Sequence, residues 1–261
     1  MEASSYVTEA EQDKFSGLGA IECPYPGEPP TSTRRYVSTG WLAEGSDTVV
    51  TVSHAFYKAA SPPQMATETH FPPITCGFVT YDRWGKLRDS VPIAYARVKW
   101  DDPLYHSDRT DDQAVVKLAR RPSHAIRWLP LGDGKDLNDS NIMLVSFSND
   151  VPDPTRPRKS RGKIFKMPLN GVHDRGGTHG YRLLDNRRIF ATSVDSSYGS
   201  SGGLYIDDTG AIIGLHRGCV MKDGSCRPSN FDLSGPSYNA GIYIDRTFYD
   251  EIRLTAENSP P

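Results

Sequence analysis

Short apolar runs rich in Val, Ile, Tyr and Phe recur along the chain, each bounded by Gly, Pro, Asp or Asn. They are Tyr36–Leu42, Thr48–Val52, Thr75–Tyr81, Val91–Lys99 and Ala114–Leu118, then Ile142–Ser148, Lys163–Met167, Ile189–Val194, Leu204–Ile206, Ala211–His216 and Ala240–Ile244. This length and residue preference predict strands rather than helices. Asp207-Asp208-Thr209-Gly210 reads as a hairpin connection. The runs fall into two sets joined by the Arg120–Pro130 stretch, which predicts two all-β modules, over 17–122 and 123–261, behind a polar arm at 1–16. The last stretch differs. Asp245 suits a helix N-cap, and Phe248 and Ile252 stand four apart on one helical face. A short C-terminal helix closing the second module is expected.

Composition narrows the classes. The 23 glycines and 20 prolines among 261 residues suit many turns. A net charge of −2 exerts no general pull on nucleic acid or anionic membranes, and no apolar run approaches the roughly 20 residues of a membrane span. Glu2, Glu9, Glu11 and Asp13 argue against a signal peptide at the N-terminus. That favours a cytoplasmic protein, with a secreted one whose leader has been removed as the alternative. The basic run from Arg156 to Lys166 lacks interleaved aromatics for nucleic acid and reads as a solvated loop, or else a contact for an acidic partner. The four cysteines form no Cys-x-x-Cys motif; Cys219 and Cys226, seven apart, make either a local disulfide or two free thiols.

Three motifs carry chemistry. Ser201 lies in Gly199-Ser200-Ser201-Gly202-Gly203, His54 follows the run Thr48–Val52, and Asp112 immediately precedes Ala114–Leu118. A serine hydroxyl needs a base within hydrogen-bond reach and a third group to orient that base. His54 would take the Ser201 proton, and Asp112 would hold the other imidazole nitrogen. The backbone N–H groups of Gly199 and Ser201 would converge on the developing oxyanion. Taken singly, His54 is an ordinary surface histidine and Asp112 one acid of a polar loop with Asp108 and Asp111. His106 beside those acids suggests metal ligation, but a polar approach to Asp112 is the simpler reading. No metal or other cofactor is expected.

The order His54, Asp112, Ser201 resembles that of trypsin/chymotrypsin-fold serine proteases. Ser38-Thr39-Gly40-Trp41-Leu42, Thr51-Val52-Ser53-His54-Ala55 and Gly241-Ile242-Tyr243 resemble further motifs of that superfamily, over roughly residues 18–256. The resemblance implies two six-stranded antiparallel β-barrels with the site in the cleft between them. Ser38 and Ala55 replace a cysteine pair that many secreted relatives carry, which favours a reducing compartment. Ser200 replaces the aspartate that digestive trypsins use in zymogen activation. In motif the chain is most similar to bacterial trypsin-like peptidases and glutamyl endopeptidases.

Two signals on specificity conflict. Asp195, with Ser196 after it, resembles the trypsin pocket stretch and implies cleavage after Arg or Lys. His216 resembles the pocket histidine of glutamyl endopeptidases and implies Glu or Gln, with Ser196 supplying a hydroxyl. Gly241 would line the same pocket. The expected protein is a serine endopeptidase acting on protein or peptide substrates, without nucleic acid or membrane partners. A catalytically silent protein-binding module is the alternative, and an esterase would keep the chemistry on another substrate.

Overall fold

The structure is a computed structural model and describes residues 4–29, 32–43, 47–58, 69–82, 84–98, 112–124, 127, 129–132, 137–149, 151–166, 173–174, 182–183, 189–221 and 237–257. Strands β1 (Ser5–Tyr6), β2 (Leu18–Pro24), β3 (Arg35–Leu42), β4 (Thr48–Thr51), β5 (Gly77–Tyr81), β6 (Leu87–Val98) and β7 (Ala114–Leu118) precede β8 (Asn141–Ser146), β9 (Arg158–Lys166), β10 (Ile189–Thr192), β11 (Leu204–Asp207), β12 (Ile212–Met221) and β13 (Ser237–Tyr243). The helices are α1 (Glu9–Gln12) and α2 (Arg246–Glu257).

Both sets of strands close into six-stranded antiparallel barrels, the chymotrypsin-like architecture. The first runs β2-β3-β4-β7-β6-β5 and closes on β2. The second runs β9-β8-β11-β12-β13-β10 and closes through the β9–β10 pairing. Strand β2 was not apparent in the sequence. Gly19 and Pro24 at its ends argue against a strand, yet Gly19 is needed because a Cβ there would stand 2.5 Å from the Phe78 ring.

The main hydrophobic cluster joins first-barrel residues such as Ile21, Val50 and Val116 to Phe147, Leu204 and Leu215 of the second barrel. A smaller cluster around Phe190, Tyr205 and Ile213 fills the second barrel. Helix α2 begins as expected, with Asp245 Oδ1 accepting the Phe248 N–H at 2.9 Å. It does not close the second module, however. It packs on β4 and β7 of the first barrel, with Phe248 and Ile252 fully buried. Lys117, the one charged residue of the otherwise apolar β7, reaches it there: its Nζ donates to Asp47 Oδ1 at 2.9 Å and to the carbonyls of Thr255 and Ala256 at 3.1 and 3.2 Å.

The arm folds onto the second barrel. Strand β1 pairs antiparallel with β9. Arg156 and Arg158 lie 4.6 and 5.1 Å from the Tyr6 ring centroid, and Lys159 Nζ contacts Glu11 at 2.6 Å. Burial pushes the Glu11 carboxyl up, but hydrogen bonds from Lys159 and Thr8 outweigh it and hold the group at about 2. Part of the basic run thus meets an acid of its own chain.

Cys23, on β2, is bonded to Cys76 just before β5. This pairing was not read from the sequence, where the two cysteines stand 53 apart. It runs against the reducing compartment inferred from Ser38 and Ala55, because disulfides persist in oxidising surroundings. Cys226 lies outside the described residues, as do His106, Asp108 and Asp111. Among the described residues, no helix is long and apolar enough to cross a membrane.

Candidate active site

Strand β4 ends at Thr51, and a short 3-10 turn, Ser53–Phe56, carries His54 out of the first barrel. The Ser53 hydroxyl donates to the Gln113 carbonyl at 2.6 Å and the Tyr36 hydroxyl to the His54 carbonyl at 3.2 Å, so this turn is tied to its surroundings on two sides. Asp112 sits at the entrance to β7 and is buried. It grips His54 twice: Oδ1 accepts the His54 backbone N–H at 2.9 Å, and Oδ2 stands 2.6 Å from Nδ1. Burial alone would raise the Asp112 carboxyl; the His54 imidazole and the positive Arg217 more than offset this and hold it below its ordinary range.

On the other face of the imidazole, Nε2 stands 2.7 Å from Ser201 Oγ. The structure therefore brings together the three residues that the sequence singled out, from two barrels and across 147 residues of chain. With Asp112 ionised, Nδ1 carries the proton and Nε2 is left as an acceptor aimed at the hydroxyl. A serine in this setting can be deprotonated as it attacks an electrophile.

The loop bearing Ser201 is a sequence of tight turns. Ser200 N–H bonds back to the Ser197 carbonyl at 3.1 Å, and Gly199, third in that turn, has φ +95°. A glycine suits the third position of a type II turn. Gly202 also has positive φ, +83°, and a Cβ there would lie 2.0 Å from the Thr39 carbonyl oxygen. Neither position accepts a side chain. Ser200, where digestive trypsins have aspartate, is buried; its hydroxyl lies 3.1 Å from Ser146 Oγ, 3.2 Å from the Ser197 nitrogen and 3.3 Å from the Phe147 carbonyl.

The residues that the sequence suggested for specificity lie beside this loop. His216, on β12, is buried, and its backbone brackets the nucleophile turn: its carbonyl accepts the Gly202 N–H at 2.8 Å and its N–H donates to Gly203 at 2.7 Å. Its Nδ1 stands 2.8 Å from the Tyr205 hydroxyl. Burial, with a smaller contribution from His54, pushes its pKa down to about 3, so the imidazole is neutral. Tyr205 is buried too, which pushes its phenol well up and keeps the hydroxyl protonated. Tyr205 is a partner that the sequence reading missed; its place on β11, opposite β12, is legible only once the strand pairing is known.

Asp195 is engaged elsewhere. Its Oδ2 accepts the backbone N–H of Ser4, from the arm, at 3.3 Å, and its own N–H donates to Ser160 Oγ at 2.7 Å. The Ser196 hydroxyl bonds to Asn239 Oδ1 at 2.7 Å. Gly241 pairs with His216 across β12 and β13. Its lack of a side chain has a packing reason, since a Cβ would lie 2.1 Å from the Phe190 ring.

Residues 38–215 match the family described as trypsin-like peptidase domain. No curated protein sequence matches the chain. Among solved structures, a Glu endopeptidase in complex with MPD superposes with a TM-score of 0.63 at 14% identity, covering 99% of this chain and 98% of that one. A scabies mite inactivated protease paralogue gives 0.62 at 11% identity, with 97% of each chain covered. The HtrA-type protease AlgW with a tripeptide gives 0.55 at 13% identity, covering 95% of this chain and 63% of that one. At these identities the likeness is one of fold.

Proposed function

Because the chain belongs to the trypsin-like peptidase domain family, we propose that it is a serine endopeptidase cleaving peptide bonds through an acyl-enzyme on Ser201. The observation that carries this reading is the continuous chain from Asp112 Oδ2 through both imidazole nitrogens to Ser201 Oγ, with links of 2.6 and 2.7 Å. His54 takes the hydroxyl proton as Ser201 attacks the scissile carbonyl, then passes it to the leaving amine. Water repeats the sequence in reverse to free the acid product. Asp112 orients the imidazole and stabilises its charged form. Protein or peptide substrates are the class that the fold favours.

At the cleavage site we read Glu or Gln in preference to Arg or Lys. With Tyr205 as donor to His216 Nδ1, 2.8 Å away, Nε2 carries the hydrogen, a donor suited to a carboxylate or carboxamide and useless to an ammonium. Asp195, the acid that would attract a basic side chain, already accepts the Ser4 N–H. The Cys23–Cys76 disulfide supports an oxidising compartment as the place of action.

The deciding experiment is intact mass after fluorophosphonate treatment, wild type beside Ser201→Ala. A single adduct on the wild type alone is expected. An unlabelled, folded wild type would overturn the reading and leave a silent binding module; the scabies mite paralogue is itself an inactivated protease.

A further inference from the structure

We infer that Thr39, on the first barrel, is a positioning residue for the oxyanion site formed by the Gly199 and Ser201 N–H groups in the second. The inference rests on the peptidase reading above. All five carbonyls from Ser197 to Ser201 are bonded. Ser197 accepts from Ser200 N–H at 3.1 Å, Tyr198 from Asn149 N–H at 2.7 Å and Gly199 from Thr39 Oγ1 at 2.8 Å. Ser200 accepts from Gly203 N–H at 2.8 Å and Ser201 from Thr39 N–H at 2.7 Å. In a trans peptide the carbonyl and the following N–H point in opposite directions. Holding Tyr198 C=O on Asn149 therefore turns Gly199 N–H away from Asn149, and holding Ser200 C=O on Gly203 fixes the direction of Ser201 N–H. Those two N–H groups have no acceptor among the described residues, and they are the two that the oxyanion needs.

Thr39 joins both sides of this clamp. Its hydroxyl donates to Gly199 C=O and accepts the Phe147 N–H at 3.0 Å, so one oxygen fixes the nucleophile turn and the segment 147–149 that supplies the Asn149 donor. Its backbone holds Ser201, and its carbonyl takes the Thr51 hydroxyl at 2.7 Å, just ahead of the His54 turn. The residue is fully buried. Water therefore cannot replace the lost partners when the hydroxyl is removed. The base and the oxyanion site sit on different barrels, and Thr39 sets one against the other.

The test compares Thr39→Val with Thr39→Ser. Valine keeps the shape and loses the hydroxyl; serine restores it. Kinetics are taken per site titrated with fluorophosphonate, on a peptide that the wild type cleaves. Thr39→Val is expected to lower kcat by about 10- to 100-fold with KM within about twofold, and to weaken a peptide aldehyde in parallel, because only the transition state uses the oxyanion donors. Thr39→Ser is expected to stay within about threefold of wild type. A second readout needs no turnover: the amide signals of Gly199 and Phe147 in a nitrogen-15 NMR spectrum should move in Thr39→Val and return in Thr39→Ser. Unchanged kcat, or loss in both variants alike, would overturn the inference. So would a Gly199 signal that does not move, and this holds even if the wild type proves inactive. Should Thr39→Val not fold, Thr39→Cys, of similar size and a weaker donor, carries the same comparison.

Discussion

Asp112 holds His54 by both ends, with one carboxylate oxygen on the backbone N–H at 2.9 Å and the other on Nδ1 at 2.6 Å. The carboxylate is thus a positioning device for the turn as well as an electrostatic partner for the ring. Asp112→Asn keeps the shape but offers Nδ1 an amide in place of one carboxylate oxygen, which favours the wrong tautomer. Turnover is expected to fall about 10⁴-fold. Ser201→Ala should fall further, about 10⁶-fold in kcat, since it removes the nucleophile. Steady-state hydrolysis of one peptide by the three proteins checks both, and equal activity in Asp112→Asn and wild type would refute the orienting role.

His216 and Tyr205 should act as a pair in substrate choice. His216→Ala is expected to cut kcat/KM for Glu peptides by about 10- to 100-fold, the worth of a hydrogen bond to a charged group, and for Gln peptides by less, about 2- to 10-fold. Tyr205→Phe should give a smaller loss in the same direction, since only the orientation of the imidazole is relaxed. Profiling with a peptide library that varies the residue before the cleaved bond reads both. A profile that His216→Ala leaves unaltered would remove His216 from the pocket.

Acid should destabilise the fold through the same histidine. In the unfolded chain His216 gains a proton near its ordinary value of about 6.5, whereas in the folded state burial delays this to about 3. Between those limits the unfolded state binds more protons, so stability falls as pH falls. Urea unfolding at a series of pH values should show this slope in the wild type and a shallower one in His216→Gln. Parallel slopes would mean that other groups dominate.

Lys117→Ala should be costly. The substitution leaves Asp47 and two helix-end carbonyls without the ammonium they share. Breaking a buried pair in this way costs about 3–5 kcal/mol. Guanidinium unfolding measures the loss, and hydrogen exchange should show α2 opening first.

The Cys23–Cys76 bond should supply stability of its own. It closes a loop of 53 residues, and removing such a cross-link costs about 2–4 kcal/mol. The paired Cys23→Ser, Cys76→Ser variant should melt below wild type, and reductant should lower the wild type melting temperature towards it. A wild type indifferent to reductant would contradict the bond.

Legibility in the sequence followed the range of the interactions. His54, Asp112 and Ser201 announce themselves because each sits in a short local pattern at a strand end or turn, and most strands show as apolar runs. Asp245, Phe248 and Ile252 give the C-terminal helix for the same reason. What that helix packs against was not legible, because helical periodicity gives a face and no address. Strand β2 was hidden by its own glycine and proline. Lys117 interrupts an apolar strand, and nothing near it in sequence explains why; its partners lie 70 and 138 residues away. Cys23 and Cys76 give no spacing signal, and Thr39 looks like an ordinary strand threonine until Gly199 and Phe147 are placed beside it.

The Lys117 bridge also sets a timetable. Two of its acceptors belong to Thr255 and Ala256. A nascent chain that has already made every strand of both barrels still lacks two of the three acceptors of this buried ammonium. The packing of the barrel that carries His54 is therefore completed only once α2 lies in place and its last turn caps that ammonium.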